Sequence, residues 1–225
     1  MNCALEKEPQ GGKDALLATS FLMCFYACSI QDFKPSTVAQ SDDTSFIFLL
    51  GTRTLVLDKR RSAPSSIMGC LTGRPKWLSL FLPRISPLFG PGGRLINLTN
   101  RLPADSPLFT NKAIYIERIE SLTVYFSTTS ATLQDHESVK SLSLCFLRWQ
   151  TTCPPDFMSL VRSYDPIALI ILAHYYAAAD SVHKKADNVF WWWQKPRYMV
   201  ETIADFLLPD WSEWLEWPLE TIGKF

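Results

Sequence analysis

The residues with the most chemical potential in this chain sit side by side on one apolar segment. His174, Tyr175 and Tyr176 follow one another inside DPIALIILAHYYAAAD, Asp165 to Asp180. A neutral imidazole in such surroundings needs a polar partner. Two uses meet that need: a hydrogen bond inside the core, or a bond to the polar end of a largely apolar ligand, whose pocket combines apolar walls with a few fixed polar groups. Downstream, Trp191, Trp192 and Trp193 are consecutive. Successive helical residues lie about 100° apart, so these rings cannot share a face, and at least one of them lines a cavity or the surface. Trp211, Trp214 and Trp217 recur every third residue. On a helical or 3₁₀ turn that spacing puts them near one face, as a lid packed on a core.

Other chemistry is sparse. Cys3, Cys24, Cys28, Cys70, Cys145 and Cys153 are scattered with no CxxC and no pair of histidines at ligand spacing, so no metal site is expected. Cys24 and Cys28 read as core thiols, and the chain as belonging to a reducing compartment. His136 lies beside a helix start, and His183 heads the polar run to Asp187. The run GPGGR, Gly90 to Arg94, has the glycines of a phosphate loop but neither the preceding apolar strand nor the following Lys-Ser/Thr, and it reads as a loop. There is no GxSxG, HExxH, Walker loop or paired-carboxylate signature; the expectation is a protein that is not an enzyme and uses no cofactor.

The elements that must hold these residues are helical. Residues 1–13 read as a flexible arm and residues 14–225 as a single helical domain, with a Pro/Gly-rich irregular region at about 60–108. Asp14 offers an N-cap for an apolar helix to about Cys28; Thr44 to Leu57 and a piece at Lys76 to Leu82 follow. Beyond Asn111 the pattern strengthens. Ala113 to Thr128 and Asp135 to Gln150 are expected helices, with Val139, Leu142, Phe146 and Trp149 on one stripe of the second. Asp156 to Arg162 is a short helix, and Asp165-Pro166 is an N-cap with proline at the first helical position, opening a helix to about Val182. Phe190 to Trp193 and Pro196 to Leu208 complete the set. No β alternation is sustained, so the fold class is all-α.

Composition agrees with a folded domain: a hydrophobic fraction of 47% suffices for a sizeable core. The apolar run Ala15 to Ile30 follows an acidic flank, which is wrong for a signal peptide, and is too short and polar to span a bilayer; Ile167 to Ala179 is shorter still. No membrane span is expected. The formal net charge is zero, with Lys and Arg equal in number to Asp and Glu, which argues against a polyanion binder. Nonetheless, Gly51 to Arg101 is basic and Glu201 to Phe225 acidic. These are either solvated faces of one domain or separate surfaces for nucleic acid and a partner.

DPIALIILAHYYAAAD, then FWWWQKPRYMVETIADFL from Phe190 to Leu207, then PDWSEWLEWPLETIG from Pro209 to Gly223 together resemble the C-terminal end of fungal zinc binuclear-cluster transcription regulators, in particular those similar to sterol uptake control proteins. FIFLLGTRTLVLD, Phe46 to Asp58, resembles an upstream helix of that family. The resemblance implies an irregular multi-helix regulatory domain that binds sterol in an apolar pocket and acts on transcription. It places a sterol-like molecule among the helices carrying His174, Tyr175, Tyr176, Trp192 and Trp193, with His174 or a Tyr hydroxyl at the ligand's polar end. The six-cysteine DNA-binding cluster is missing, since no CxxC-x6-C occurs, and the chain begins inside the regulatory domain. Specific DNA binding by this chain alone is therefore not expected. The implied partners are the transcription machinery, a full-length homologue or a second copy of the chain. The implied setting is the nucleus, or shuttling with the cytoplasm, and control of sterol or secondary-metabolite genes. The alternatives are a helical-pocket protein turned to use as a small enzyme or isomerase, and a decoy that disables a full-length regulator.

Overall fold

The computed structural model describes residues 90–130, 152–185 and 195–224, with isolated helical positions at Thr19, Ser20, Leu22, Met23, Tyr26, Phe146, Trp149 and Gln150. The expected arm at 1–13 and the helices expected at 44–57, 76–82 and 190–193 lie outside the described residues. So do most of those expected at 14–28 and 135–150. Among the described residues the structure is helical without strands: α1 (Gly90–Asn100), a 3₁₀ turn (Pro107–Asn111), α2 (Lys112–Ser130), α3 (Pro155–Arg162), α4 (Pro166–Lys185), α5 (Lys195–Leu207) and α6 (Ser212–Ile222). The all-α expectation holds.

Helix α4 is the axis of the packing. Its start is set by Asp165, whose Oδ1 accepts from the backbone N–H of Ala168 at 2.9 Å, while Pro166 occupies a position where an N–H would have no helical partner. Every residue from Ile167 to Asp180 is buried. A helix apolar around its whole circumference has to be covered on all sides; here α2, α3, α5 and α6 all pack on it. The turn before it places Tyr164 at φ 56°, and α3 meets α4 at 104°. Among the described residues no single helix is long and apolar enough to cross a membrane.

The expected loop at Gly90–Gly93 is corrected: these residues form the first turn of α1. Helical glycine costs about 1 kcal/mol relative to alanine, but three circumstances favour the helix here. Proline is suited to the first turn, where its missing N–H loses nothing; Gly92 is buried; and Leu95 and Leu98 seal against the core. Arg101 to Ser106 is irregular, as Pro103 requires.

Helix α6 ends on Gly223 at φ 81°, where its N–H reaches Glu220 O at 2.9 Å and that of Lys224 reaches Leu219 O at 3.0 Å. A Cβ at position 223 would meet nothing within 4 Å, so Gly223→Ala carries only the left-handed backbone penalty. A loss of about 1 kcal/mol is expected, read as a lower urea midpoint with an unchanged slope. A change of slope would show instead that α6 detaches before the rest unfolds.

Candidate functional site

The three consecutive residues of α4 point to different surroundings, as the helical twist requires. His174 is 2% exposed and faces α6 and α2. Its ring stacks on Trp217, with centroids 5.3 Å apart and planes 14° apart, and meets Phe126 edge-on at 6.3 Å. Phe126 in turn meets Trp217 edge-on at 5.5 Å, closing an aromatic cluster. Nδ1 lies 2.9 Å from Ile170 O. A carbonyl only accepts, so Nδ1 carries the proton and Nε2 of the neutral ring is an acceptor. Burial holds the imidazole well below its usual value, at about 4; the charge of Arg94 pushes the same way, and the Ile170 carbonyl opposes both. Neutral imidazole is therefore the resting form at pH 7.

Tyr175 and Tyr176 look elsewhere. The Tyr175 ring stacks on Trp149 at 4.5 Å and 19°, and its hydroxyl donates to Phe146 O at 3.0 Å. The Tyr176 hydroxyl accepts from Gln150 Nε2 at 3.0 Å. Both phenols thus tie the segment carrying Phe146, Trp149 and Gln150 to α4. Trp192 and Trp193 fall outside the described residues; among the described residues His174 meets Trp217. The third-residue spacing works as expected: Trp211, Trp214 and Trp217 all pack against the core, with Trp217 serving as the wall of the histidine.

Two tethers were not legible beforehand. Tyr115 of α2 donates its hydroxyl to Asp165 Oδ2 at 2.7 Å, so one carboxylate both caps α4 and holds α2. Burial together with this carboxylate holds the Tyr115 hydroxyl in its neutral form, its pKa raised well above the usual phenol value. The second tether joins the oppositely charged segments. Arg94 donates to Glu216 Oε2 at 2.6 Å and Arg101 to Glu213 Oε1 at 3.3 Å, with the Arg101 guanidinium 5.4 Å from the centre of the Trp214 ring. Within the described residues, then, the basic end of the middle stretch and the acidic C-terminal helix face each other over the His174 cluster. Both pairs are exposed, and such pairs contribute at most about 1 kcal/mol each; they orient α6 more than they stabilise it.

No group of three or more metal-ligating side chains occurs among the described residues. Cys153 is buried, and its Sγ donates to Trp149 O at 3.4 Å. No family model, no curated protein and no solved structure matches this chain.

Proposed function

We propose that this chain is a regulator of transcription of the fungal type: a ligand-sensing and activation domain without its own DNA-binding cluster, controlling sterol or secondary-metabolite genes from the nucleus. It reads a sterol-like molecule and passes the result to the transcription machinery or to a full-length homologue through protein contacts. The observation that carries this reading is the coincidence of sequence blocks and packing. The parts of the three family-like blocks that are described are α4, α5 and α6, and these pack directly on one another. Between α4 and α6 lies the buried ring of His174, whose Nε2 can accept a hydrogen bond from a hydroxyl but, while neutral, cannot donate one. That matches a ligand with an apolar body and one alcohol end. Catalysis is not proposed: Asp165, His174, Tyr175 and Tyr176 each hold a structural partner, and no acid/base pair is assembled among them.

The test joins the full chain to a heterologous DNA-binding domain in a reporter strain. Sterol-dependent activation is expected, together with a saturable change in tryptophan fluorescence when the purified chain is titrated with sterol. His174→Ala should weaken that binding by about 0.5–1.5 kcal/mol, one hydrogen bond. Folded protein that neither activates the reporter nor responds to sterols would overturn the reading, as would a sequence-selective DNA complex formed by the chain alone at physiological salt.

A further inference from the structure

Among the described residues, a buried polar group left unexplained by these contacts is Arg118 of α2. Its side chain is 8% exposed, and its one partner is its own neighbour: Nη2 lies 2.9 Å from Oε1 of Glu117, a residue 65% exposed. Nε and Nη1 are buried without a hydrogen-bond partner. An arginine cannot shed its proton to escape this position, so the charge persists in a low-dielectric place where each unmet N–H is unfavourable. Stabilisation alone does not account for such a residue, since apolar replacements of buried charges are often neutral or favourable.

The surroundings can be located from the tethers on either side. One turn before Arg118, Tyr115 reaches Asp165 at the start of α4. One turn after it, Ser121 Oγ accepts from Trp149 Nε1 at 2.7 Å, and the Trp149 ring meets Phe157 in the first turns of α3 at 6.1 Å. Helix α3 also packs on α2, with Phe157, Met158 and Val161 buried. On α2 itself Tyr115 and Leu122 share the face of Arg118 and are fully buried. Among the described residues, the guanidinium thus has one ionic partner, Glu117, and its helix face is otherwise apolar. Phe126, which reaches His174, is about 12 Å further along the helix, so this is a separate place from the sterol-reading cluster.

We propose that Arg118 is the receptor of an organic carboxylate with an apolar body, such as a long-chain aliphatic acid. A carboxylate supplies two acceptor oxygens to the fork of the guanidinium, and a monoanion matches its single charge. Tyr115 and Leu122, on the same helix face, supply apolar contact for a hydrocarbon body. Glu117 is the internal competitor, occupying Nη2 from the solvent side.

The experiment titrates the full chain with dodecanoate, dodecanol, acetate and inorganic phosphate, following tryptophan fluorescence and heat. Dodecanoate is expected to bind saturably and at least tenfold more tightly than dodecanol, with acetate and phosphate far weaker. Glu117→Gln should tighten dodecanoate binding several-fold. Arg118→Met should abolish the preference for acid over alcohol while leaving the urea midpoint unchanged or higher. Equal binding of acid and alcohol, dodecanoate binding that survives Arg118→Met, or tighter binding of phosphate than of dodecanoate would overturn the proposal. So would a clearly lowered midpoint in Arg118→Met, which makes the guanidinium a structural group. Sterol response is read separately, so failure here leaves the His174 reading untouched.

Discussion

Between pH 7.5 and pH 4.5 the folded domain is expected to lose about 2–3 kcal/mol of stability through His174 alone. The sign follows from the direction of the shift. In the unfolded chain the imidazole takes up a proton near its ordinary value of 6.5, whereas in the folded chain burial defers this to about 4. Between those values the unfolded state binds more protons, so stability is complete above about pH 6.5 and falls as the pH drops toward 4. The ring has no alternative while folded: Trp217 covers one face, Phe126 meets it edge-on, and Arg94 repels the added charge. His174→Phe keeps a flat ring against Trp217 and removes the titration. Urea midpoints of both proteins at the two pH values provide the measurement. Parallel losses in wild type and variant would show that His174 is not held neutral by the fold.

Trp149→Ala is expected to lower stability by about 3–5 kcal/mol, the range for removing a large buried aromatic ring. Trp149 is 2% exposed and sits where three parts of the chain converge. It stacks on Tyr175 of α4, meets Phe157 of α3 edge-on, and donates Nε1 to Ser121 of α2 at 2.7 Å. Alanine opens a cavity where these helices meet. Against a total stability of about 5–15 kcal/mol for a domain, this is a large share of the margin. Ser121→Ala, which removes the hydroxyl that accepts from Trp149 and donates to Arg118 O, should cost about 1–3 kcal/mol, chiefly by leaving the indole N–H buried and unpaired. If Trp149→Ala costs no more than Ser121→Ala, the ring is not part of the core, and the tie between α2 and the Phe146–Gln150 segment is its single hydrogen bond. Thermal melts followed by circular dichroism discriminate the two outcomes.

The sequence by itself determined the features whose causes are local. Asp165-Pro166 is a start signal complete within four residues, and the carboxylate does cap Ala168. The unbroken apolar run after it determined that α4 lies at the centre, because a helix without a polar side has nowhere else to go. The third-residue spacing of Trp211, Trp214 and Trp217 likewise foretold an aromatic face packed on a core. Tertiary structure decided whatever depends on a partner distant in the chain. GPGG reads as a loop by local propensity, and it is helical because Gly92 is buried and Leu95 and Leu98 seal against a core made by distant parts of the chain. His174 was legible as a buried histidine, but not that its wall would be Trp217. Arg118 carried no signal at all: an arginine one turn after Tyr115 and one before Leu122 is an ordinary surface residue of a helix until the rest of the fold covers it. Local conformational preference is written in neighbouring residues, whereas desolvation is conferred by atoms that arrive from elsewhere in the chain, and it is desolvation that makes His174 neutral and Arg118 a charge in need of a partner.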